Sequence, residues 1–154
     1  MKKIKFSWDL DGGVLEGGHL YFFRNLNITS RIDKQEAKRS EMEFYASRKL
    51  KYRPALFASE GDEVFIITCR KTEARDITKK TLKKYEINAP IIFADEKGEI
   101  DWSSSYEEAS KKAARLKAKV IKRLGINVHF DNNPIMVEAL RELCPEVKII
   151  LISE

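Results

Sequence analysis

Lys5–Phe6–Ser7–Trp8–Asp9–Leu10–Asp11–Gly12–Gly13–Val14–Leu15 is the stretch whose reading decides the fold. It opens as an apolar strand, closes on two aspartates one residue apart and breaks on two glycines. Side chains at i and i+2 of an extended chain point the same way, so Asp9 and Asp11 share one side and Leu10 takes the other. Two carboxylates ~4 Å apart repel by roughly 4 kcal/mol at an effective dielectric near 20. A shared proton, a cationic side chain or a metal ion must offset that repulsion. Gly12 and Gly13 permit a sharp turn and a close approach of a ligand to the backbone.

Outward from this stretch, apolar runs alternate with amphipathic ones. Lys3–Trp8, Glu63–Thr68, Pro90–Ala94, Ile126–Phe130 and Val147–Ile152 read as strands. Helices are expected over Lys34–Leu50, where Asp33 and Glu36 form a capping box, and over Pro54–Ser59, Thr72–Tyr85 and Pro134–Leu143. A further helix, capped by Ser104 or Ser105, runs to Leu124 and stops at Gly125. The alternation predicts an α/β, Rossmann-like three-layer sandwich around a mainly parallel five-stranded sheet. Residues 1–154 form one domain, with 15–62 as a flap or small cap insert after the first strand. The flap is glycine-rich and then aromatic (His19, Tyr21, Phe22, Phe23), placed to pack on the core or over a site. In such sheets ligands bind beyond the carboxyl ends of strands. Asp9, Asp11, Thr68 and Asp131 all fall there.

The composition is that of a globular chain with a heavily charged surface. The net charge of +5 fits anionic partners such as phosphate esters or nucleic acid. The lysine runs nevertheless fall where helices are expected, and a solvated helix coat accounts for most of them. The longest apolar runs fall short of a membrane span and no signal-peptide pattern opens the chain, so no membrane partner and a cytoplasmic location are expected. Cys69 and Cys144 are too few for a disulfide framework and are not spaced as a metal site, so reduced thiols are expected. Only His19 and His129 are histidines, which argues against a histidine-based zinc centre.

Asp9–Leu10–Asp11–Gly12 resembles motif I of the haloacid dehalogenase superfamily, an Asp-x-Asp-Gly-Thr/Val pattern after a hydrophobic strand. Ile66–Ile67–Thr68 resembles its motif II. His129–Phe130–Asp131–Asn132–Asn133–Pro134 resembles its motif IV, with Asn132 where a second acidic residue is common. Motif III is a lysine ahead of motif IV, and helix geometry selects it. Tyr106, Ala109, Ala113, Leu116, Val120 and Leu124 form one apolar stripe. At about 100° per residue, Lys117 lies roughly 55° from the stripe's centre and Lys119 roughly 105° away, so Lys117 reaches the core edge and Lys119 faces water. The four motifs occur in order over nearly the whole chain. Gly13, where Thr or Val is usual, and Asn132 are the departures.

The resemblance implies a Mg²⁺-dependent phosphatase that hydrolyses a phosphomonoester through an aspartyl-phosphate. Asp9 would be the nucleophile and Asp11 the general acid and base. Thr68 and Lys117 would hold the transferring oxygens. Arg70 would contact the substrate phosphate or, alternatively, be a surface residue at a helix start. Asp9, Asp131 and the backbone carbonyl of Asp11 would hold Mg²⁺, whose hard character suits oxygen ligands. Three aspartates against Mg²⁺ and Lys117 would balance the charge. The substrate is expected to be a nucleotide, a sugar phosphate or another phosphomonoester. Two alternatives are a nucleic-acid end-processing phosphatase and a non-catalytic binding protein that kept the fold.

Overall fold

The computed structural model describes residues 2–17, 34–103 and 105–153. Five strands form one sheet: β1 (Lys5–Asp9), β2 (Glu63–Thr68), β3 (Ile91–Phe93), β4 (Val128–Asp131) and β5 (Lys148–Leu151). Their order is β3-β2-β1-β4-β5, and every pairing is parallel. Helices α1 (Lys34–Ala46), α2 (Arg75–Lys84), α3 (Tyr106–Leu124) and α4 (Pro134–Leu143) complete the Rossmann-like α/β fold expected from the alternation of strands and helices.

A central parallel strand must be buried on both faces, and β1 meets that demand by alternation. Phe6, Trp8 and Leu10 join Ile66, Leu82 and Phe130 in one apolar cluster. On the other face, Ile67 packs with Ala113, Ala114 and Ile121 of α3 and with Met136, Val137 and Leu140 of α4. The Trp8 indole stacks on Phe130 with ring centroids 4.1 Å apart. Among the described residues, its Nε1 is buried without a hydrogen-bond partner.

The helix ends follow local chemistry. Ser105 caps α3 by accepting from the Glu108 N–H at 3.3 Å, and Gly125 is the C-cap. Pro134 opens α4, where the Asn133 side chain accepts from the N–H groups of Ile135 and Met136 at 3.0 and 3.2 Å.

Several boundaries differ from the sequence reading. Residues 54–59 form hydrogen-bonded turns rather than a helix, closed by Leu56 N–H to Arg53 at 3.0 Å and Ala58 N–H to Ala55 at 3.0 Å. So short a segment fixes too many dihedrals for the few helical bonds it gains. Helix α1 ends at Ala46 rather than Leu50, because the chain beyond it is drawn out to clasp the segment after β1. Leu50 pairs with Leu15, Glu16 N–H donates to Lys49 at 2.9 Å, and Lys51 N–H donates to Val14 at 2.8 Å. β1 and β4 each extend one residue further than read, so that Asp9 and Asp131 are the last residues of their strands. The flap aromatics, His19, the Asp33 cap and Ser104 lie outside the described residues. Among the described residues, no helix is long and apolar enough to cross a membrane.

Candidate active site

Two adjacent strands and one helix build the centre of the site. β1 ends on Asp9 and β4 on Asp131, and their parallel register places Ser7 opposite His129 just before them. Lys117 of α3 lies at the edge of the buried stripe and is 1% exposed. Its ammonium donates to Asp9 Oδ1 at 2.6 Å and to Asp131 Oδ2 at 2.7 Å. Lys119, two residues on, is exposed. A buried ammonium is costly unless paired. Burial works against the charge on Lys117, but Asp131 and Asp9 outweigh it and hold its pKa above the ordinary value.

The two carboxylates are not equivalent. Burial pushes Asp9 up, Lys117 pulls it down, and repulsion from Asp131 and Asp11 leaves it at about 7. Burial also opposes ionisation of Asp131, but Lys117 and then His129 overcome it and hold Asp131 below the usual carboxylate range. Asp131 also accepts from the Asn133 backbone N–H at 3.0 Å on Oδ1. Asp131 therefore accepts from Lys117 and from the Asn133 N–H, with the His129 ring beside it.

Asp11 faces a different cation. Arg70 Nε donates to its Oδ2 at 2.9 Å and Arg70 Nη2 to its Oδ1 at 2.6 Å, a two-pronged pairing that fixes the plane of the carboxylate. Arg70 Nη1 donates to Thr78 Oγ1 at 3.0 Å, and the Tyr45 ring lies 3.9 Å from the guanidinium carbon. Arg70 is 4% exposed, so it is not the surface residue that its position at a helix start also allowed. Burial disfavours its charge, but Asp11 more than offsets that and keeps its pKa raised. Thr68 is buried at the end of β2, where its Oγ1 accepts from the Arg70 backbone N–H at 3.1 Å. Among the described residues, Asp9 and Asp131 pair with Lys117, and Asp11 pairs with Arg70.

The turn after β1 explains the two glycines. A Cβ on Gly12, which has φ +90°, would meet the Asn132 amide at 2.1 Å. A Cβ on Gly13 would meet the Asp9 carbonyl oxygen at 2.1 Å. The backbone here folds too tightly over itself to admit the Thr or Val of the family pattern.

Three contributors escaped the sequence reading. Tyr45 of α1 is one, and its ring covers Arg70. Ser7 and His129 are both fully buried behind the aspartates: Ser7 Oγ lies 2.7 Å from His129 Nδ1, and His129 Nε2 lies 3.3 Å from Asp131 Oδ2. Their signal was positional, since each sits two residues before an aspartate and so on the same strand face.

Among the described residues, no group of three or more His, Cys, Asp or Glu side chains is gathered as a metal centre. Asp9 and Asp131 converge on Lys117, while the Asp11 carboxylate is turned to Arg70. The donor chemistry still fits a hard divalent cation. All the candidate ligands are oxygens, the donor type that a hard divalent cation prefers.

No family model matches the chain, and no curated protein sequence does either. Among solved structures, the chain is similar to one from the Pnkp1/Rnl/Hen1 RNA repair complex, at 16% identity and a TM-score of 0.58 over 98% of this chain and 43% of that one. A second structure of the Pnkp1/Rnl/Hen1 complex matches at 14% identity with a TM-score of 0.59, over 98% of this chain and 46% of that one. A phosphoserine phosphatase, in a phospho-aspartyl intermediate analogue form, matches at 11% identity with a TM-score of 0.45, over 98% of this chain and 94% of that one. The chain thus spans less than half the length of the first two. At these identities the likeness is one of fold.

Proposed function

We propose that the protein is a Mg²⁺-dependent phosphatase of the haloacid dehalogenase type, hydrolysing a phosphomonoester through an aspartyl-phosphate on Asp9. The observation that carries this reading is the Lys117 ammonium joining Asp9 to Asp131 at the carboxyl ends of adjacent strands, with Asp11 fixed two residues beyond Asp9.

In the first half-reaction, an Asp9 carboxylate oxygen forms a bond to phosphorus as the bond from phosphorus to the ester oxygen breaks. Asp11 would be the general acid: it must release one oxygen from Arg70, which holds both in this structure, and take up a proton from solvent before it protonates that departing oxygen. In the second, water attacks the phosphorus of the aspartyl-phosphate and passes a proton to Asp11. Phosphate leaves and the Asp9 carboxylate is restored. The Thr68 hydroxyl donates to a phosphoryl oxygen, and Lys117 offsets charge that builds on the transferring group. Arg70 holds Asp11 beside the site between the two steps. Asp9, Asp131 and the backbone carbonyl of Asp11 would hold Mg²⁺, which supplies positive charge to the phosphoryl oxygens.

The test is hydrolysis of an aryl phosphate with Mg²⁺, with EDTA, and by Asp9→Asn. Activity that requires both the metal and Asp9 is expected. Activity that survives in Asp9→Asn would overturn the assignment.

A phosphorylated nucleic-acid end is the second reading of the substrate, alongside a nucleotide or sugar phosphate. It is supported by the net charge of +5 and by the likeness in fold to a chain of an RNA repair complex. Phosphate contacts release counterions, so affinity for a 3′- or 5′-phosphorylated oligonucleotide should fall steeply with salt. An affinity indifferent to salt would remove this reading.

A further inference from the structure

Ser7 and His129 are polar side chains placed where the fold would accept apolar ones. Both are fully buried on the face of the sheet covered by α3 and α4. Burying an imidazole and a hydroxyl costs free energy unless both find partners. Here the partners are each other and Asp131. The parallel register sets Ser7 directly across from His129, and alternation along β4 then puts the His129 ring and the Asp131 carboxylate on one side. An ionised carboxylate can only accept, so the ring nitrogen facing Asp131 must carry the hydrogen. In the neutral ring the other nitrogen accepts, and the Ser7 hydroxyl is the donor in reach.

We propose that Ser7 and His129 form a positioning pair for Asp131. Ser7 Oγ–H donates to His129 Nδ1 and fixes the tautomer with its hydrogen on Nε2, and Nε2–H anchors Asp131 Oδ2. The purpose rests on the reading of Asp131 as a metal-holding residue. Lys117 is shared between two carboxylates and must also answer charge that develops on the substrate. The His129 bond gives Asp131 an anchor that does not depend on Lys117. With Asn133 N–H on Oδ1 and His129 on Oδ2, the carboxylate plane is set from both ends. Neither residue touches substrate. Groups of this kind, one shell behind a metal ligand, typically change metal affinity by about 10–100-fold when removed.

The experiment has two readouts. ¹⁵N NMR of the His129 ring in metal-free protein reports the tautomer, and calorimetric titration with Mg²⁺ alone reports what Asp131 can hold. Wild type should show the neutral Nε2–H form. Ser7→Ala, a small change that the core accepts, should mix the tautomers and weaken Mg²⁺ binding by about 3–10-fold. His129→Leu should weaken it by about 10–100-fold, and His129→Gln, whose amide can place a donor near Nε2, should recover most of the loss. An Nδ1–H tautomer in wild type would overturn the proposal. So would an Mg²⁺ affinity in His129→Leu equal to wild type, which would leave only a structural role. Failure of wild type itself to bind Mg²⁺ would contradict the metal reading of the site, and the tautomer would then decide the pair alone.

Discussion

Along β1, Phe6 and Trp8 enter an apolar cluster, while Ser7 and Asp9, one residue out of step, join His129, Lys117 and Asp131. The two sides are held by different physics. On the apolar side attraction is non-directional, and Trp8 is gripped at once by Phe130 and by the rings of Tyr52 and Phe57. Loss of one neighbour there costs in proportion to its volume. On the polar side every group depends on a named partner at hydrogen-bond distance, and removing one leaves the others charged and dry. The apolar side can absorb change, whereas the polar side converts a single substitution into a failure of the site.

The most disruptive test of this contrast is Lys117→Ala. It leaves the Asp9 and Asp131 carboxylates facing each other in a buried site and should cost about 3–5 kcal/mol in urea unfolding, along with activity. A cost similar to that of an exposed lysine such as Lys119 would show that the polar side does not depend on its shared cation.

Asp9→Asn should separate function from stability. Asp9 sits at about 7, above its ordinary value of 3.8. A raised folded-state pKa favours folding while the group is protonated, below the unfolded value, and that advantage is lost as pH rises through about 7. Metal-free wild type should therefore lose on the order of 1–4 kcal/mol between about pH 5 and about pH 8 from this group, while Asp9→Asn should not. The lowered pKa of Asp131 acts in the opposite sense and only at lower pH, where stability is lost as that group protonates. Parallel pH profiles for the two proteins would refute the raised pKa of Asp9.

Arg70→Lys keeps the charge but gives up the two-pronged grip on Asp11 and the stacking under Tyr45. A loss of about 1–3 kcal/mol is expected, with a lower kcat and a nearly unchanged KM. A raised KM with kcat intact would instead place Arg70 on the substrate.

Trp8→Phe should have the smallest effect, under about 2 kcal/mol. The lost ring area is partly offset by removing an indole N–H that, among the described residues, is buried without a partner. A cost matching a full cavity would mean that the orphaned N–H is of no consequence.

Much of this was legible in the chain, for identifiable reasons. Asp9 and Asp131 stand out because carboxylates rarely terminate apolar runs by chance, whereas Thr68, a β-branched residue at home in any strand, stands out only in their company. Lys117 could be told from Lys119 because helix phase is strict. Arg70 was harder, since a helix-start arginine has two equally natural destinations and only the tertiary fold brings Asp11 to it. His129 and Ser7 each share a strand face with an aspartate, but that signal acquires meaning only through the register between two strands far apart in sequence. The turns at 54–59 were misread because a proline start with no helical length behind it carries the same local signal as a helix.

The central claim is that Asp9 carries the phosphoryl group. The most direct measurement is to incubate the protein with an aryl phosphate and Mg²⁺, quench with borohydride, and sequence the peptide spanning β1 by mass spectrometry. An acyl phosphate is reduced to the alcohol, so conversion of residue 9 to homoserine is the predicted result, and none is expected with EDTA. Turnover of the substrate with residue 9 recovered only as aspartate, or homoserine found at position 11 instead, would contradict the account.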